Sequence, residues 1–341
     1  MKALCLWHAT DEELKYVKAA IPSGTELVVP EGEYFSRFEC TYLSIERHAV
    51  DADVFLGWTI PEGISEISKN LKMLSYFHSG VDDLGEIGFL AHAKKCGIKI
   101  ANVRGANAIA IAEQTMMFVL ALAKQTVTRN EASRERLRSF PLFAEETRSA
   151  MLSGQTIGVI GVGNIGSHIA KCAKAFDMRV LGVRRNKDRH DEYVDSMHGM
   201  DELHSVLAQC DYVVLAAPHT GQTFQFLGEA ELAVMKPSAF LVNCARGALI
   251  EEQSLHKALT TGRLRGYAAD VWPYYAWPRF FPAQMEPRLQ LHRLPNVIGS
   301  HGEAHNADGL LERYIEFGVE NVVEFINGTP LSREVSLDLG Y

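Results

Sequence analysis

The 341-residue sequence predicts an α/β protein with two doubly wound parallel sheets, the first of them in a discontinuous domain. Three observations carry this expectation. Short apolar runs alternate with amphipathic stretches along most of the chain. A glycine-rich turn opens a second, more regular series of such runs. One further amphipathic stretch near the C-terminus returns the chain to the first series. The length also exceeds what one hydrophobic core usually serves, so two domains are expected.

In the first series, strands are read at residues 4–7, 26–29, 54–56, 73–76 and 98–101, with 12–20 as an amphipathic helix. Residues 106–124 read as one long apolar core helix, expected to be buried between domains. Residues 126–149 are charged and helix-prone and contain Phe140, Pro141, Leu142 and Phe143, which suits either an arm in a homodimer contact or a plain surface helix. The regular series follows: strands 156–160, 179–183, 212–216, 239–243, 266–271 and 297–299, with helices 165–176, 200–208 and 252–261. Strands separated by helices of this length imply parallel pairing through right-handed crossovers. A last helix is expected from just after Ala304 to about Asn327, so the first domain comprises 1–105 plus 305–341 and the second 106–304.

The composition narrows the function class. With 47% hydrophobic and 22% charged residues the chain is neither disordered nor fibrous. A net charge of −8 gives no general attraction for nucleic acid or an anionic membrane, so a small-molecule partner is expected and an anionic one needs a locally positive pocket. The six cysteines form no CxxC and no ligand-like pairing with histidine, so no metal site and no disulfide frame are expected. The N-terminus lacks the long apolar core of a signal peptide, and Glu113 and Gln114 interrupt the most apolar stretch. A cytoplasmic location is the expectation.

Gly161-Val162-Gly163-Asn164-Ile165-Gly166 follows an apolar run and opens a helix. In that context Gly161 permits a tight turn, Gly163 lets a pyrophosphate approach the backbone and Gly166 lets helix and strand pack closely. The helix N-terminus at Asn164 and Ile165 supplies N–H donors. The second domain is therefore expected to be a dinucleotide-binding Rossmann domain, and both domains to be Rossmann-like or flavodoxin-like. Where an acidic residue would bind the ribose of NAD, the next strand ends in Arg184-Arg185. Guanidinium groups hold a 2′-phosphate that a carboxylate would repel, so NADP is favoured over NAD. Lys187 and Arg189 extend the positive patch.

Further stretches carry a family pattern: Leu71-Lys72-Met73 through Ser79-Gly80-Val81-Asp82, Asn102 to Asn107, Leu152 to Thr156, Ala217-Pro218-His219-Thr220-Gly221-Gln222-Thr223, Met235 to Ile250, and Ala268-Ala269-Asp270-Val271-Trp272. Together they make the chain similar to the D-isomer-specific 2-hydroxyacid dehydrogenases, NAD(P)-dependent oxidoreductases of small 2-oxo and 2-hydroxy acids. The resemblance implies substrate contacts from Ser79, Gly80 and Val81. It implies cofactor contacts from Pro218, Thr223, Cys244, Ala245 and Asp270, the last to the nicotinamide carboxamide. Arg246 follows the strand at 239–243, at the carboxyl end where ligands of parallel sheets bind. Its guanidinium suits a substrate carboxylate, and it is assigned to the catalytic set.

Two departures from the pattern concern the acid/base. The position of the usual glutamate holds Tyr275, and a neutral phenol cannot stabilise an imidazolium as a carboxylate can. Aligned without gaps, His301 stands on the usual proline and Gly302 on the usual histidine. A one-residue deletion there makes His301 the candidate acid/base, with His305 as runner-up at i+4 if the last helix starts early, and Glu303 able to assist either. Tyr274, Tyr275, Trp277, Phe280 and Phe281 lie in a long loop, read as a substrate lid for an aromatic or otherwise unusual acid or as an interdomain or subunit contact. The alternative function is a nucleotide-sensing binding protein without turnover.

Overall fold

The computed structural model describes residues 1–30, 36–135, 148–273 and 288–341. The chain divides into two compact units, Met1–Asn107 with Ala307–Tyr341, and Ala108–Asn306. The first is therefore discontinuous.

In the first unit, β1 (Lys2–Cys5), β2 (Glu26–Val28), β3 (Val54–Gly57), β4 (Met73–Tyr76) and β5 (Lys99–Asn102) form a parallel sheet ordered β2-β1-β3-β4-β5. This is the flavodoxin-like order. All residues of β3 and β4 are buried, as a parallel sheet covered on both faces requires. Its helices are α1 (Asp11–Ala20), α2 (Tyr42–Ala49), α3 (Ile64–Ile67), α4 (Asp82–Glu86) and α5 (Phe89–Cys96). Thr10 and Glu13 close a reciprocal capping box at the start of α1, which fixes where that helix begins.

The second unit begins with α6 (Ala108–Lys124) and α7 (Thr126–Arg134). Among the described residues seven parallel strands follow: β6 (Thr156–Ile160), β7 (Arg179–Val183), β8 (Ser196–His198), β9 (Tyr212–Leu215), β10 (Phe240–Asn243), β11 (Gly266–Ala269) and β12 (Val297–Gly299). Between them lie α8 (Asn164–Ala175), α9 (Leu203–Gln209), α10 (Glu229–Val234) and α11 (Glu252–Thr260). The sheet order is β12-β11-β10-β9-β6-β7-β8, so the winding reverses between β6 and β9. Successive side chains of β9 point to opposite faces. Tyr212 and Val214 join a core with Ile111, Phe118 and Val119 of α6 and Ile169 of α8. Val213 and Leu215 join the core with Leu207, Leu232 and Leu255 of α9, α10 and α11. Helix α6 is thus a core helix of the second unit. Of the stretch 126–149 read as an arm or a surface helix, Thr126–Arg134 forms α7, while Phe140, Pro141, Leu142 and Phe143 lie outside the described residues.

Helix α12 (Leu310–Ile326) closes the first unit. Its start falls at Leu310 rather than directly after Ala304, because Gly302 and Gly309 both take left-handed φ and a 3₁₀ turn spans Glu303–His305. Gly318 brings α12 against the sheet: a Cβ there would sit 1.9 Å from the Phe77 ring, and the Gly318 carbonyl accepts from Ser75 Oγ at 2.7 Å. Buried Asn321 donates to the Asn102 carbonyl at 2.9 Å and accepts from Arg333 Nε at 3.0 Å. These bonds satisfy polar groups that burial would otherwise leave unpaired. Among the described residues, no helix is long and apolar enough to cross a membrane.

Candidate active site

In the second unit, the residues singled out by the sequence lie at the carboxyl ends of the strands. Gly161 follows β6 with φ +105°, and its N–H donates to the Val183 carbonyl at 2.8 Å. A Cβ on Gly161 would stand 2.4 Å from Ala217 N, just past β9, and one on Gly166 would stand 2.2 Å from the Gly161 carbonyl oxygen. The fold itself demands both glycines. Gly163 differs: its φ of −109° suits any residue, and a Cβ there would meet nothing within 4 Å. No protein contact requires its lack of a side chain, whereas a phosphate drawn up to the backbone would. Gly163 is also the N-cap of α8 and offers no side-chain cap, which leaves the first amides of the helix for an anion. These residues fit a dinucleotide pyrophosphate at the switch point of the sheet.

At the end of β7, the Arg184 amide bonds to the His198 carbonyl at 3.0 Å and its Nη1 donates to the Arg189 carbonyl at 3.3 Å. Burial and the charge of Arg189 lower the Arg184 pKa. Arg185 is exposed. Lys187 faces Glu202 at 3.2 Å, so part of its charge is already answered. The Gly199 amide, His198 and Lys187 together hold the Glu202 carboxyl down at about 2. Past β9, Thr223 Oγ1 donates to the Pro218 carbonyl at 2.7 Å and accepts from Thr220 N at 2.8 Å, which closes the Pro218–Thr223 loop on itself.

Arg246 lies on the loop after β10. Buried Asn243 shapes that loop: its Nδ2 donates to the Arg246 carbonyl at 2.9 Å and its Oδ1 accepts from Ala245 N at 3.0 Å. Arg246 Nη1 donates to the Ala245 carbonyl at 2.9 Å, and the side chain is half-buried. A Cβ on the next residue, Gly247, would sit 1.6 Å from the Trp272 carbonyl oxygen, so this loop and the exit of β11 are in close contact. Burial pushes the neighbouring Cys244 thiol up to about 12, so it remains a neutral thiol and not a nucleophile.

Asp270, just past β11, is buried and its carboxylate is engaged. Oδ1 accepts from Ser300 Oγ and from Glu303 N at 2.9 Å, Oδ2 accepts from Ala304 N at 3.1 Å, and the Asp270 carbonyl accepts from Gly302 N at 2.7 Å. His301 therefore sits on a loop fastened to Asp270, exposed and with its ring 6.4 Å from that of Trp272. His305 ends the 3₁₀ turn. The expected i+4 relation of His301 and His305 on one helix face does not form, because left-handed Gly302 and this turn lie between them. Tyr275 and the other loop aromatics, Tyr274, Trp277, Phe280 and Phe281, lie outside the described residues. Strands β10, β11 and β12 are consecutive in the sheet, so Arg246, Asp270 and His301 occupy neighbouring exits. Ser300, Trp272 and Gln114, which tie this loop, were not among the site residues read from the sequence, although Trp272 closes one of the family stretches; a hydroxyl residue at a strand exit beside a candidate histidine is the one local signal for Ser300.

In the first unit, Ser79, Gly80 and Val81 follow β4. Ser79 Oγ donates to Asn107 Oδ1 at 2.9 Å, and Asn102 Nδ2 donates to the Ser79 carbonyl at 2.8 Å. Asn102 in turn is held by Asn321, so the C-terminal helix steadies this loop.

A family model described as the NAD binding domain of D-isomer specific 2-hydroxyacid dehydrogenases matches residues 116–301. The chain belongs to this family. A glyoxylate reductase of Thermococcus gammatolerans is 31% identical over 302 residues, 84% of this chain and 84% of that protein. A D-3-phosphoglycerate dehydrogenase of Methanocaldococcus jannaschii is 32% identical over 259 residues, 73% of this chain but only 45% of that longer protein. The crystal structure of a D-isomer specific 2-hydroxyacid dehydrogenase family protein from Aeromonas salmonicida superposes with a TM-score of 0.78, at 26% identity and over 99% of both chains.

For this dehydrogenase-family chain, Gly163→Val is expected to weaken nicotinamide dinucleotide binding at least about tenfold while leaving Tm within about 1–2 °C, since its side chain enters space no protein atom occupies. Titration of intrinsic fluorescence with cofactor, beside a melting curve, checks both halves. Unchanged binding would remove the cradle from the site.

Proposed function

We propose that the protein is an NADP(H)-dependent oxidoreductase, working as a homodimer, that moves a hydride between the nicotinamide and C2 of a small 2-oxo or 2-hydroxy acid. The observation that carries this reading is the set of neighbouring exits bearing Arg246, Asp270 and His301, in the same sheet whose switch point holds the glycine cradle. Anion holder, cofactor cradle and proton donor then share one sheet edge. The first unit (1–105 plus 305–341), to which Ser79, Gly80 and Val81 belong, serves as substrate domain, and the second (106–304) as dinucleotide domain.

A reduced nicotinamide, when bound, supplies the hydride. The Arg246 guanidinium holds the substrate carboxylate through two parallel charge-assisted bonds and so fixes the direction of the neighbouring carbonyl. His301 donates a proton to the carbonyl oxygen during reduction and takes it back in the reverse direction. Glyoxylate, in the name of the Thermococcus relative, is among the smallest 2-oxo acids. The exposed apolar side chains Met117 on α6 and Phe176 after α8 support a contact with a second copy.

The test of the reading is a panel of 2-oxo acids from glyoxylate to phenylpyruvate, assayed with NADPH and NADH by loss of reduced-nicotinamide absorbance. Turnover of at least one acid is expected, with the higher kcat/KM for NADPH. Replacing Arg184 and Arg185 together by alanine is expected to lower kcat/KM for NADPH about 10–100-fold and to leave NADH nearly unaffected, because only NADPH carries the 2′-phosphate. A wild-type preference for NADH overturns the cofactor assignment. Cofactor binding with no turnover on any acid favours the sensing protein instead.

A further inference from the structure

We propose that Ser300 is a positioning residue for His301. The proposal rests on the reading above that His301 moves the proton.

Ser300 is the first residue past β12 and immediately precedes His301. Its N–H donates to the Ala269 carbonyl at 3.0 Å, and its carbonyl accepts from Trp272 Nε1 at 3.0 Å. Its hydroxyl donates to Asp270 Oδ1 at 2.5 Å and accepts from Gln114 Nε2 of α6 at 3.3 Å. Every hydrogen-bonding group of Ser300 is thus engaged, by the exit of β11 on one side and a core helix on the other. Beyond His301 the chain reverses at Gly302, whose φ of +79° glycine adopts freely. That reversal brings the amides of Gly302, Glu303 and Ala304 onto Asp270.

His301 is therefore fixed before and after by one buried carboxylate. Trp272 sets the remaining direction. A Cβ on Gly299 would lie 2.2 Å from the indole, so the ring closes over the strand exit, and the His301 imidazole leans against it at a tilt of 49°. An exposed loop histidine would ordinarily sample several orientations; here the backbone on both sides and one ring face are set. Proton transfer depends on heavy-atom placement, and a displacement of about 1 Å can cost about 100-fold. A hydroxyl that ties the residue before His301 to Asp270 and to α6 thus affects rate without touching substrate.

The test is a double-mutant cycle of Ser300→Ala and His301→Ala, read as kcat for reduction of the best 2-oxo acid. With His301 present, S300A is expected to lower kcat about 10–100-fold, to raise the solvent deuterium isotope effect on kcat, and to leave the cofactor Kd unchanged. In the H301A background the same change is expected to alter kcat less than about twofold. S300T, which keeps the hydroxyl, restores most of the activity. If S300A melts below the assay temperature, the cycle is run with S300C, which keeps the volume and weakens the donor. An equal loss in both backgrounds, or a loss in cofactor affinity instead of kcat, overturns the role of Ser300 while leaving the acid/base intact. An H301A enzyme with wild-type kcat removes the acid/base reading itself, and the positioning role with it.

Discussion

Replacing Arg246 by glutamine is expected to lower kcat/KM for every 2-oxo acid about 10²–10³-fold while leaving the cofactor Kd within about twofold. Beside the bond from Arg246 Nη1 to the Ala245 carbonyl, the loop has ties that do not use the guanidinium. Asn243 pins it from below through the Arg246 carbonyl and the Ala245 amide, and Gly247 presses it against the Trp272 carbonyl. Glutamine keeps those backbone bonds and much of the side-chain length, so the variant isolates the charge. Truncating one partner of a close charge pair costs about 2–5 kcal/mol, which sets the size of the effect. Lysine should recover little, because one compact ammonium cannot match both carboxylate oxygens and hold the carbonyl plane. Steady-state kinetics with a fluorescence titration of cofactor checks the split. A variant with near wild-type kcat/KM would take Arg246 out of substrate binding.

The second large effect is expected at His301. His301→Ala should reduce kcat about 10²–10⁴-fold, the range of a lost general acid, whereas His305→Ala should change it less than about threefold. In the sequence His301 was the candidate and His305 the runner-up, four positions apart. The folded loop separates them: His301 follows the residue locked at the β12 exit, and His305 lies beyond a left-handed glycine and at the end of a 3₁₀ turn. Parallel kcat measurements on the two variants decide the assignment, and a larger loss at His305 would reverse it.

The parts of this site that were legible in the sequence are those set by local chemistry. The glycine turn, the arginine pair after β7 and Arg246 after β10 each stand at a strand exit that the apolar runs mark, and all three were found at such exits. Strand positions were legible for the same reason, because fully buried parallel strands give continuous apolar runs. Residues 156–160 and 179–183 coincide with β6 and β7. Boundaries shifted where turn geometry takes over: α12 starts late because Gly302 and Gly309 take left-handed φ and a 3₁₀ turn lies between them. The lock on Ser300 was not legible, since it joins residues 30 and 186 positions apart. Nor does a sequence reveal that Gly163 alone of the three motif glycines has room for a Cβ with no protein atom within 4 Å.

The most direct measurement is the fate of the hydride. Cofactor carrying deuterium at both C4 positions is mixed with the intact protein and the best acid of the panel, and the product is examined by mass spectrometry and chiral chromatography. Deuterium at C2 of the 2-hydroxy acid, in the D enantiomer alone, is the expected result. Product lacking the label, or no product from a chain that binds the reduced cofactor, contradicts the proposed chemistry.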